Sequence, residues 1–171
     1  MYSALDIAAW FIIKNQTEQN ENLIDSDDYE VYEGITHLKL QKLLYYAQGI
    51  YLALHEGKPL FRENICAWTH GPVIPEVYHI FSSFGRKNIV LPITDEVIKK
   101  IKNIELDNDA QEALNLTYDN FAGYTAWYLR NETHKIGSPW SQIAGRDGSG
   151  LNEIIPNKII EKYFKENIVE L

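Results

Sequence analysis

The chain holds a single cysteine, Cys66, among 171 residues, so no internal disulfide can brace it. Long apolar runs are also lacking. The greasiest stretch near the start, ALDIAAWFII, is broken by Asp6 and falls well short of the roughly 20 residues a membrane-spanning helix needs. No charged-then-apolar leader with a small-residue cleavage site opens the chain. These absences lead to the expectation of a cytoplasmic protein with no membrane partner. A basic stripe is missing too, so direct nucleic-acid binding is not expected. The histidines, at 37, 55, 70, 79 and 134, never fall four apart, and no second cysteine accompanies them. A metal site is therefore not expected. Arg146-Asp-Gly-Ser-Gly150 is glycine-rich but lacks the lysine and flanking strand of a phosphate loop, so it reads as a turn and no cofactor is called for.

What is present is material for a core. The chain is 45% hydrophobic, with 11 Tyr, 6 Phe and 4 Trp, enough for one packed domain spanning residues 1–171. The net charge of −8 is unevenly placed. Residues 1–35 hold eight acids against one base, Lys14, leaving a nearly neutral body behind an acidic stretch. Asn15–Gly34 is polar, acidic and without period, and reads as an exposed loop over 15–35 inserted after a first helix at 3–14. Asp25-Ser-Asp27-Asp28 lacks the glycine and closing glutamate of a calcium loop. The seven carboxylates of the stretch either solubilise it or steer a basic partner by long-range attraction.

The rest reads as mainly α. Leu40, Leu43, Leu44, Ala47, Ile50, Tyr51 and Leu54 recur at helical spacing over about 36–55, and the opposite face is hardly more polar. A helix apolar on both sides is central to its domain. Further helices are expected at 75–84, 94–103, 109–121, 125–133 and 139–144, with a last one from Pro156. Strand content is expected to be at most a short pair near 63–68.

Between these helices lies AWTHGPVIPEVYHIF, residues 67–81. Each proline pushes the residue before it toward extended backbone, so Gly71–Ile74 should be a stiff strip entering a helix with Pro75 at its first position. Trp68 and Tyr78 flank the strip and can pack across it. For His70 two readings stand: a partly buried imidazole bonded to backbone, or a direct partner contact. Cys66 and His70 would lie about 13 Å apart in an extended segment, too far for a thiol–imidazole pair.

Three groups of residues resemble a known family. These are Thr36 with LKLQKLLYYAQGIYLA (38–53), then PLF (59–61), then AWTHGPVIPEVY (67–78). Thr133-His134, Pro139-Trp140 and the closing KIIEKYF (158–164) fit the same pattern. The combination is similar to the Panacea antitoxin domain family, which includes SocA-like antitoxins and GepA-type phage-associated proteins. The chain departs from that family's pattern in its long acidic stretch. The resemblance marks Tyr45, Trp68, Val73, Pro75, Tyr78, Thr133, His134 and Trp140 as structural motif positions. It implies a compact helical domain that neutralises a cognate protein toxin by direct binding, as in a type II toxin–antitoxin system. It also admits a protease adaptor, with a cellular protease as a further partner, or a phage or mobile-element protein of another role.

The expected partner face is the edge of the corner, His70, Gly71 and Pro72, with Lys39 and Lys42 beside it. The reasoning is that rigid, proline-fixed backbone lowers the ordering cost of binding. A hydrolase using His70 or His134 lacks a nucleophile–base–orienter set, so no enzyme is expected. No sustained heptad points to an assembly protein.

Overall fold

The computed structural model describes residues 1–25 and 34–169. Helix α1 (Ala4–Asp25) leads to α2 (His37–Leu54), then to a hairpin of β1 (Cys66–Trp68) and β2 (Gly71–Val73). After it come α3 (Pro75–Phe81), a 3-10 turn at Ser82–Phe84, α4 (Asp95–Glu105), α5 (Asn108–Phe121), α6 (Ala126–Thr133), α7 (Pro139–Ala144) and α8 (Asn157–Asn167). The mainly α expectation holds.

α2 is the axis of the domain. Thr36 caps it by accepting from the Lys39 amide, and every residue from Lys39 to Ile50 is buried. Helices α1, α3, α5, α6 and α8 and strand β2 all pack on it. Gly49 lets α8 approach: a Cβ there would collide with the Phe164 ring. Phe164 then packs edge-on to Tyr45 and Tyr46, with ring centroids 5.3 and 5.7 Å away, and Tyr46 stacks on Phe121 at 4.0 Å.

Polar residues on α2 do structural work inside this core. The Gln48 side chain accepts from the Leu60 and Phe61 amides at 2.9 and 3.2 Å and donates to the Phe61 carbonyl at 3.2 Å. The PLF turn is thereby clasped to the helix. Such bonds satisfy backbone groups that would otherwise be buried without a partner.

Two expectations need correction here. The acidic stretch is not a loop from residue 15: α1 continues to Asp25. No glycine or proline interrupts 15–25, and the polar side chains are anchored to the body. Asn15 donates to the Tyr118 hydroxyl, which donates to Glu18 at 2.7 Å, and Gln16 bonds both the amide and the carbonyl of Leu91. The rest of the expected loop, 26–33, lies outside the described residues. The strip Gly71–Ile74 is not a lone extended entry to α3. Its first three residues pair antiparallel with Cys66–Trp68, in the register Cys66↔Val73, Ala67↔Pro72 and Trp68↔Gly71.

Candidate partner-binding site

The hairpin turns over Thr69 and His70, and its backbone is held from three directions. On the α7 side, the Trp140 indole donates to the Trp68 carbonyl at 2.8 Å, and the Trp140 ring lies 3.7 Å from the His134 imidazole, centroid to centroid. His134 sits between two carbonyls, with Nδ1 2.7 Å from Arg130 O and Nε2 3.2 Å from Thr69 O. Burial pushes its pKa down, so at neutral pH only one of these bonds has a proton to donate. On the α2 side, Lys42 Nζ donates to the Pro72 carbonyl at 2.8 Å, and Gln41 Oε1 accepts from the Ile74 amide at 2.8 Å. On the third side, the free edge of β1 is covered by chain 152–155, through Asn152 N to Ala67 O, Ala67 N to Glu153 O, and Ile155 N to Ile65 O. The hairpin is a fixed feature, not an adaptable loop.

This arrangement sorts the expected site residues. Trp68, Tyr78, Thr133, His134 and Trp140 meet around the hairpin, with Trp68 and Tyr78 rings edge-to-face at 4.9 Å. Val73 lies in β2, and Pro75 opens α3. Tyr45 is elsewhere, in the aromatic layer under α8.

Among the proposed contact residues, only His70 is exposed. That also removes the reading of His70 as a partly buried, backbone-bonded imidazole; His134 fills that role. Gly71 and Pro72 are buried. Gly71 has φ of 101°, a region that strains other residues, and a Cβ there would come within 2.8 Å of Lys42 Nζ and Thr133 Oγ1. Its identity is set by backbone conformation and close packing. Lys39 and Lys42 are corrected more sharply: they are 1% and 0% exposed, so neither is a rim contact. Desolvation, helped by the charge of Arg130, pushes Lys42 down to about 7.

The surface that does face outward is a cleft of about 830 Å³ beside the hairpin. The first turns of α2 and α6 border it, together with Trp68, His70, Tyr78, Arg86 and Trp127. Trp127, on α6, is 58% exposed, unusual for so large an apolar ring. Gln41 is fully buried yet lines the cleft, and its Nε2 has no hydrogen-bond partner. His37 Nδ1 is likewise buried and unpartnered. An unmet buried donor costs about 1–3 kcal/mol.

Sequence reasoning missed Gln41 and Trp127. The signal for Gln41 was available, since a glutamine inside a helix apolar on both faces must be bonded to something. Trp127 gave no signal, because a tryptophan in a short helix reads first as core.

The arrangement offers little to covalent chemistry. Cys66 is opposite Val73 in the hairpin, because the chain turns back at 69–70 instead of running on extended. Burial and the nearby Glu76 and Glu153 push its thiol up, away from the reactive thiolate. Among the described residues no group of three or more His, Cys, Asp or Glu could hold a metal, and no helix is long and apolar enough to cross a membrane.

A family model described as antitoxin SocA-like, Panacea domain, matches residues 40–141. The chain belongs to the SocA-like Panacea family. A curated relative, Antitoxin SocA of Caulobacter vibrioides (strain NA1000 / CB15N), is 35% identical over 141 residues, spanning 77% of this chain and 72% of the relative. No solved structure matches. The Panacea match opens inside α2 and closes just after Trp140, so it takes in Gln41, Lys42, His134 and Trp140, which hold the hairpin from two sides, but not chain 152–155, which covers the edge of β1.

Proposed function

We propose that this chain is the antitoxin of a type II toxin–antitoxin pair, and that it neutralises a protein toxin by direct, non-enzymatic binding. Membership in the SocA-like Panacea family and likeness to a relative named Antitoxin SocA support the antitoxin role. The cleft beside the immobilised hairpin is the observation that carries direct binding. An exposed tryptophan next to a rigid backbone offers large contact area at small ordering cost. The contact set is therefore His70, Trp68, Tyr78, Trp127 and Arg86, while Gly71 and Pro72 are buried within the hairpin and Lys42 holds it from beneath.

The test is co-expression with the small open reading frame beside this gene. That product should be lethal alone and harmless together with this chain, and the two should co-purify. A partner gene that is harmless alone, or rescue without any complex, would overturn direct neutralisation. Toxin lifetime, followed after translation is stopped, separates occlusion from delivery to a protease: occlusion leaves it unchanged or longer.

A further inference from the structure

We propose that the cleft receives a segment of the partner polypeptide carrying a carboxylate beside an apolar or aromatic side chain; this rests on the reading that the chain works by binding a protein. The charge of the cleft runs against that of the molecule. The chain carries −8, yet among the described residues no aspartate or glutamate lines the cleft, whereas Arg86 does.

Two helices also begin there. Thr36 to Leu38 and Thr125 to Trp127 both border the cleft, so the positive ends of the α2 and α6 dipoles meet at it. An independent observation points to a ligand. The Gln41 amide nitrogen, on a fully buried side chain that lines the cleft, has no partner, while its Oε1 is occupied by the Ile74 amide. A donor left open in this way is met by a water or by an acceptor that a ligand brings into the cleft.

The walls are largely apolar, and Arg86 is the one always-charged group among the lining residues. That balance suits a single carboxylate attached to an apolar body better than a polyphosphate. Charge complementarity of this kind also selects the partner and speeds its approach.

A library of random twelve-residue peptides displayed on phage, selected against the full-length purified chain, tests the assignment. Enriched peptides should carry Asp or Glu within three residues of Trp, Phe, Tyr or Leu. A synthetic copy of the best should lose at least tenfold in affinity when its acid is changed to the amide. It should lose as much on the Arg86→Glu variant. Gln41→Glu keeps the acceptor for Ile74 N but replaces the free donor with an oxygen, and should weaken binding similarly. If that variant melts early, Arg86→Glu and the peptide amide carry the test.

Absence of acidic enrichment overturns the proposal, as does undiminished binding to Arg86→Glu. Displacement of the peptide by adenosine monophosphate at concentrations below the peptide's own Kd would instead make the cleft a nucleotide site. Failure here stays distinct from failure of the antitoxin reading. Rescue from the toxin by both the wild-type chain and Arg86→Glu sinks the cleft assignment alone; no rescue by the wild-type chain sinks the antitoxin reading.

Discussion

Gly71 joins two constraints at one atom. Its φ of 101° lies where an L side chain is strained, and the space a Cβ would need is already held by Lys42 Nζ and Thr133 Oγ1. Gly71→Ala should therefore destabilise the fold by about 2–4 kcal/mol, read by urea unfolding. A cost below about 0.5 kcal/mol would mean the hairpin is looser than described. Lys42 gives a second handle through pH. Its folded pKa is lowered to about 7 from 10.5, so between those values the unfolded chain holds a proton that the folded chain has shed. Stability should rise as pH goes from 7 to 9.5, by on the order of 3 kcal/mol from this residue, and the gain is lost as pH falls back toward 7. Lys42→Met should flatten that rise. Urea melts of both proteins at pH 7 and pH 9.5 check it, and equal slopes would sink the claim of a neutral buried lysine. The sequence could not show this burial. A lysine on a helix is usually solvated, and only the Pro72 carbonyl, brought back 30 residues later, makes the position internal.

At the level of elements, side chains rich in hydrogen-bonding capacity connect α2 to segments with little regular structure of their own. Gln48 grips the PLF turn and Gln41 grips the end of β2. Replacing Gln48 with Leu keeps the volume and strands the Leu60 and Phe61 amides. The expected loss is about 2–5 kcal/mol, seen as a lower urea midpoint with unchanged m-value; a neutral outcome would show that water replaces the glutamine. Helix starts were legible in the sequence because one side chain decides each: Thr36, Thr94, Thr125 and Ser138 all cap as their neighbours suggest. The start of α5 lies one residue before the expected 109, because Asp107 caps it and Asn108 is already helical. The second half of α1 was not legible, since its period is polar and its partners, Tyr118 and Leu91, lie 75 or more residues away. That tie also changes what a deletion from Glu18 onward would report. It would remove packed helix along with charge, so a slower association could not be assigned to lost steering alone. The short strand pair expected near 63–68 took in β1 but not β2, because three-residue strands are too short to show alternation.

Across the whole molecule, the four-tryptophan inventory divides into scaffold and surface, and that division is the strongest handle on function. Trp140 is part of the scaffold: it donates to the Trp68 carbonyl and packs against His134. Trp127 has the Arg130 guanidinium over its ring, 5.0 Å from the centroid, borders the cleft and is 58% exposed. Trp127→Ala should then cost no more than about 1 kcal/mol of stability, the scale of an exposed cation–π contact. If the cleft is the toxin-binding face, the same change removes a central anchor, and such anchors cost 2 kcal/mol or more when truncated. A drop of thirtyfold or more in toxin affinity is the expected result, with rescue in co-expression weakened to match. Trp140→Phe should behave in the opposite order, losing about 1–2 kcal/mol of stability through the broken bond to Trp68 O and losing affinity only as far as the hairpin shifts. Paired thermal melts and binding titrations on the two variants therefore separate a binding face from its support. Should Trp127→Ala bind the toxin as tightly as the parent chain, the contact surface lies elsewhere, and the groove bounded by Leu116 on α5, Tyr124 in the turn after it and Tyr128 on α6 becomes the next face to mutate.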